Sequence, residues 1–137
     1  MLLFPALLAT LAAAPVAVPV PAPAQAAPVP ETVEQFLEQA DALVRIGDEA
    51  SASSPEADAI RIAIQQAATA YRASLAEAEQ RGAPPASCPP PPGQAQLSLG
   101  DIAADFRAFP PANRPMPLET AFALVMTLRF PCAGKPK

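Results

Sequence analysis

Proline placement constrains this chain more than any other feature. Twenty of its 137 residues are proline, and a proline inside a helix removes a backbone donor and clashes with the preceding turn, at a cost of ~3 kcal/mol or more. The prolines are grouped: Pro15, Pro19, Pro21 and Pro23, then Pro84 and Pro85, Pro89 to Pro92, Pro110 and Pro111, Pro115 and Pro117, and Pro131. Continuous helices must lie between the groups, and there the apolar residues recur at helical spacing. Val33, Phe36, Leu37, Ala40, Leu43 and Val44 mark a first helix over 32–46, with Thr32 and Gln35 as a capping box and Gly47 as its stop. Ser54 followed by Pro55 opens a second, long helix. Its stripe is Ile60, Ile64, Ala67, Tyr71, Leu75 and Ala78, and Gly82 caps its end. Ser98 with Asp101 opens a third, flanked by Leu97 and Ile102 and running through Ala103, Phe106 and Phe109 to Pro110. A fourth begins at Leu118, presents Ala121, Phe122, Val125 and Leu128, and stops at Pro131. No sustained alternation or hairpin dipeptide predicts a strand. The expected fold is all-α, a small bundle of about four helices around one core.

The first 30 residues are of another kind, with 21 apolar residues and no charge. Met1 to Ala14 is too short and too proline-rich to span a membrane, which takes about 20 apolar residues. It has the size of a signal-peptide apolar region, and Ala24-Gln25-Ala26 offers a small-x-small cleavage site, although no Lys or Arg precedes it. The expected organisation is a signal peptide over 1–26, an extended arm over 27–31, a helical domain over 32–132 and a tail over 133–137. An uncleaved N-terminal anchor and a mis-chosen start codon are the alternatives for the leader.

Export changes the meaning of Cys88 and Cys132. They are the only cysteines and the chain has no histidine, so zinc fails on ligand count. In an oxidising compartment two such residues are expected to form a structural disulfide; two buried free thiols are the alternative. Residues 83–96 then form a rigid, Cys-anchored connector with Pro89 to Pro92 extended. A ligand for a proline-binding domain is the other reading of that stretch.

Chemistry is scarce in this composition. Without histidine no Ser–His or Cys–His nucleophile pair can be assembled. No calcium-loop run or glycine-rich phosphate loop occurs, and no carboxylate pair sits in an apolar setting. No catalytic residue, metal ligand or cofactor is therefore expected. The net charge of −4 and the lack of a Lys/Arg cluster disfavour nucleic acid and anionic membranes as partners. The charge is uneven: residues 31–58 carry eight acids against Arg45, a balance of −7, while residues 59–137 carry +3. That acidic face is either ordinary solvated surface or a patch that steers a basic partner or self-association.

From Cys88 to Cys132 the chain reads Cys88-Pro89, a connector, a capped helix ending at Phe109-Pro110, and a last helix with Leu124-Val125 and Leu128 closing on Phe130-Pro131-Cys132. This stretch resembles the Rap/Tai family of immunity proteins, small exported helical proteins that protect bacteria from amidase effectors of type VI secretion. Tyr71 stands about where that family has a Gly-Tyr motif. Ala70 replaces its glycine, Ala68 stands where another cysteine is common, and the first helix has no cysteine to pair with it. The resemblance spans residues 33–132 and is specific from 88 to 132. It implies a periplasmic, non-enzymatic homodimer that inhibits a peptidoglycan amidase by occluding its active site. The expected contact residues are Arg107, Asn113 and Arg114, taken as exposed polar groups on a tip stiffened by Pro110, Pro111, Pro115 and Pro117. Ordinary solubilising surface is the alternative for those residues. A periplasmic structural or assembly role without an effector is the alternative for the protein.

Overall fold

The computed structural model describes residues 25–91, 93–94 and 97–133. The expected leader lies outside them as far as residue 24, and the expected tail from residue 134. The described residues form helices α1 (Val33–Ile46), α2 (Asp48–Ser51), α3 (Pro55–Gln80), α4 (Leu99–Arg107) and α5 (Leu118–Arg129), with a 3₁₀ turn at Pro111–Asn113. The fold is all-α, and no strand occurs among the described residues; a single antiparallel bridge joins Thr32 to Pro117.

Most helix ends follow from their local sequence. The Ser54 hydroxyl accepts the Ala57 N–H at 3.1 Å, with Pro55 in the first turn where its missing donor costs nothing. Ser98 and Asp101 form the reciprocal box: the Asp101 N–H donates to the Ser98 hydroxyl at 3.1 Å, and the Ser98 N–H to the Asp101 carboxylate at 2.9 Å. At the end of α3, Gly82 takes the left-handed conformation at φ 64°, the Ala83 N–H reaches the Ala78 carbonyl at 2.9 Å, and the Gly82 N–H reaches that of Glu79 at 3.0 Å. That is a Schellman cap, which favours glycine for steric reasons.

Gly47 (φ 85°) stops α1 as expected, and the chain coils again at once into the single turn of α2, so a short fifth helix joins the four that were expected. Three expectations are corrected. The Thr32 box is half formed: the Thr32 hydroxyl accepts the Gln35 N–H at 3.3 Å, whereas the Gln35 side-chain amide oxygen accepts the backbone N–H of Glu31, one residue further back. α4 ends at Arg107, so Phe109 lies outside it and packs on Phe106 from the following turn, ring centroids 6.0 Å apart. Val44 and Leu128 are not core; each is 75% exposed. Val44 lies in the last turn of α1 on the side turned away from the core, whereas its neighbour Leu43 packs against the core. On α5 the inward stripe is Leu118, Ala121, Phe122, Val125 and Met126, so Met126 and not Leu128 continues it.

α3 is the central element, with α5 and α1 packed along it and α4 closing the far side against α1 and α5. Its buried face is small: Ala59, Ile60, Ala63 and Ala67, ending at Tyr71. Alanines at four-residue intervals leave room for neighbouring backbones to approach, and the volume is filled from the other helices by Phe36, Phe106 and Phe122. Phe36 meets Phe106 edge-on at 5.1 Å and Tyr71 meets Phe122 at 6.0 Å, geometries that the ring quadrupoles favour. Among the described residues no helix is long and apolar enough to cross a membrane.

Candidate functional site

The turn between α4 and α5, residues 108–117, is held from both sides. Its 3₁₀ turn is closed by the Asn113 N–H on the Pro110 carbonyl at 2.8 Å and the Met116 N–H on the Asn113 carbonyl at 3.2 Å. The corner then caps α1: the Glu34 N–H donates to the Arg114 carbonyl at 3.0 Å and the Val33 N–H to the Met116 carbonyl at 3.3 Å. Those are two of the four donors that a helix start leaves without intrahelical partners. In return the Leu118 N–H, at the start of α5, donates to the Glu31 carbonyl at 2.8 Å. Pro117 offers no side-chain cap there, so the extended residues before α1 supply it. The arm is anchored further by Pro30, which is buried, and by the Gln39 amide, which donates to the Pro28 carbonyl at 2.7 Å.

Of the three expected contact residues, Asn113 and Arg114 lie within this corner and Arg107 immediately before it. Asn113 is exposed at the tip. Arg107 is exposed in the last turn of α4, where it pairs with Asp41 of α1 at 2.7 Å. Arg114 corrects the expectation of an exposed group: it is half-buried, and its guanidinium donates to the carbonyls of Arg107 at 3.2 Å and Phe109 at 3.4 Å. It covers carbonyls that the end of α4 leaves open, a placement that suits a cation at a helix C-terminus.

The charges near α4 are engaged with one another. The Ser98 hydroxyl, and then its backbone N–H, hold the Asp101 carboxyl below the usual carboxylate range. Hydrogen bonding to Asp105 at 2.6 Å raises the already high pKa of Arg129 and ties α5 to α4. Among the described residues no three His, Cys, Asp or Glu side chains converge as a metal site would require.

The connector after α3 is fixed by three contacts of different kinds. Cys88 and Cys132 are joined by a disulfide with their Cα atoms 4.8 Å apart. The Cys88 N–H donates to the Phe130 carbonyl at 2.8 Å. The Tyr71 hydroxyl shares a buried hydrogen bond with that of Ser87, which is 1% exposed. Tyr71 was legible as a core residue of α3, but Ser87, sixteen positions away, carried no signal in the sequence. The bridge points to an oxidising compartment and an exported chain. Beneath Pro89, Pro90 and Pro91 lies a cavity of about 400 Å³, floored by Ile64, Ala68 and Tyr71 of α3 and walled by Leu97, Ile102, Phe122 and Met126, with Arg72 at its edge.

No protein-family model, no curated protein and no solved structure matches this chain.

Proposed function

We propose that the protein is an exported, periplasmic binding protein of the Rap/Tai immunity type, which inhibits a peptidoglycan amidase by inserting the corner at residues 108–117 into its cleft. The carrying observation is the double pinning of that corner, which caps α1 while the arm before α1 caps α5. A segment already ordered in the free protein loses little conformational entropy on docking, so more of its contact energy appears as affinity. Asn113 is the exposed polar group at the tip and makes the first contact. Arg107 contributes at the flank, where binding competes with its exposed pair to Asp41. Arg114 acts through the shape of the corner, as the residue that closes the end of α4.

The family resemblance implies a homodimer. Leu124 and Leu128, one turn apart and both exposed on α5, are the apolar pair on which two copies would meet. The purified protein is expected to suppress peptidoglycan cleavage by a cognate amidase effector at one-to-one stoichiometry and to show no hydrolysis of its own. Asn113→Arg should weaken that inhibition with the helical circular dichroism unchanged. Absence of inhibition against the amidase effectors of the producing organism and its competitors would leave the structural or assembly role as the better reading.

A further inference from the structure

We propose that the cavity beneath the proline connector is a binding site for an unbranched alkyl carboxylate. The site is separate from the 108–117 corner, and the inference stands whether or not the protein inhibits an amidase. Ile64, Ala68 and Arg72 occupy successive turns of one face of α3, and all three border the cavity. At 1.5 Å of rise per residue they span about 12 Å, so the floor is a trough with a length and a polarity rather than a round hole. The end at Ile64 is closed off by aliphatic groups, Leu97 and Ile102, which also line a separate cavity on the side of Leu43 and Leu99. The other end carries a cation.

Arg72 is the informative residue. It is exposed at the cavity edge and, like Arg45 and Arg114, makes no ion pair among the described residues, but of these three only Arg72 borders this cavity. The positions three and four residues either side of it hold Ala68, Thr69, Leu75 and Ala76, none of them acidic. Glu79, two turns on and about 10 Å along the axis, makes no ion pair with Arg72, although both also border a second cavity toward Gly82 and Pro85. An unpaired guanidinium beside an apolar trough recognises a carboxylate with an apolar tail: the head group takes the fork of donors and the chain lies along the helix. A volume of about 400 Å³ falls in the usual range for small-ligand sites. The length of about 12 Å along α3 suits an extended chain.

The test is calorimetric titration of the disulfide-bonded, exported protein with hexanoate, octanoate, decanoate, dodecanoate and the neutral decanol. Affinity is expected to rise with chain length by up to roughly fourfold per added methylene, and to level off once the chain fills the trough. Decanol should bind at least about tenfold more weakly than decanoate. Arg72→Gln should bring decanoate to the level of decanol, and Ala68→Phe, which fills the floor, should abolish binding. The proposal is overturned by millimolar decanoate producing no heat of binding, by equal affinity for decanol, or by affinity that climbs with length without a plateau, as adsorption to an apolar surface would. If Ala68→Phe does not fold, Arg72→Gln and the length series decide the matter alone.

Discussion

Removing the Cys88–Cys132 bridge should cost this domain much of its stability. The cysteines are 44 positions apart, and the loop they close includes the connector, α4, the corner and α5. Loop-closure entropy in the unfolded chain gives about 4 kcal/mol for a loop of that length. A domain of this size has a total stability of ~5–15 kcal/mol. In the native state the bridge is seconded by the Cys88 N–H on Phe130 and by the Tyr71–Ser87 hydrogen bond, so the connector should keep its place after the sulfurs are replaced. Loss of the bridge therefore acts chiefly on the unfolded ensemble. The double variant Cys88→Ser, Cys132→Ser should keep its helical circular dichroism and unfold at lower denaturant, with a steeper slope because its unfolded state is more expanded. At roughly 4–8 °C per kcal/mol, the melting temperature should fall by roughly 15–30 °C. Equilibrium urea unfolding, with reduced wild type as a second comparison, measures both terms. A loss under ~1 kcal/mol with unchanged slope would refute the loop-closure reasoning. Two maleimide-reactive thiols in the native exported protein would refute the bridge itself.

Other expectations follow from single contacts. Phe106→Ala removes a fully buried ring that packs on Phe36 and Phe109, and should destabilise by ~3–5 kcal/mol in urea unfolding. Arg114→Ala opens the carbonyls of Arg107 and Phe109 and should cost ~0.5–1.5 kcal/mol, marking a structural role distinct from that of Asn113. Tyr71→Phe strands the buried Ser87 hydroxyl and should cost ~1–3 kcal/mol, with faster amide exchange at Cys88. Asp101 titrates below its unfolded-state value, so its contribution to stability is present above pH ~4 and is lost as the pH falls through the lower folded value. Carboxyl titration by NMR should place Asp101 below the ordinary aspartate range, and Ser98→Ala should return it toward that range.

The helices were largely legible because their signals are local. Ser54-Pro55, Ser98 with Asp101, and Gly82 each act within a few residues, and each fixes the end it was expected to fix. Periodicity was a weaker guide, since it identifies a face but not how wide a strip of it the neighbouring helices cover. Leu43 is partly buried while Val44, on the same turn, is exposed. On α5, Leu128 and Met126 competed for the same stripe, and only the packed helices decide between them. The corner was legible as rigid from its prolines, but its partner was not. That Glu34 and Val33 would find their acceptors at Arg114 and Met116 depends on contacts some eighty residues apart. For the same reason Arg114 read as a free surface cation, although it is occupied with the end of α4.

Site-specific photocrosslinking from position 113 tests the functional claim most directly. A benzophenone side chain placed at Asn113, exposed at the tip of the corner, should yield one adduct with a cognate peptidoglycan amidase, mapped by mass spectrometry to the walls of its catalytic cleft. An adduct mapping to a surface remote from that cleft, from a complex that still inhibits, would contradict insertion of the corner as the means of inhibition.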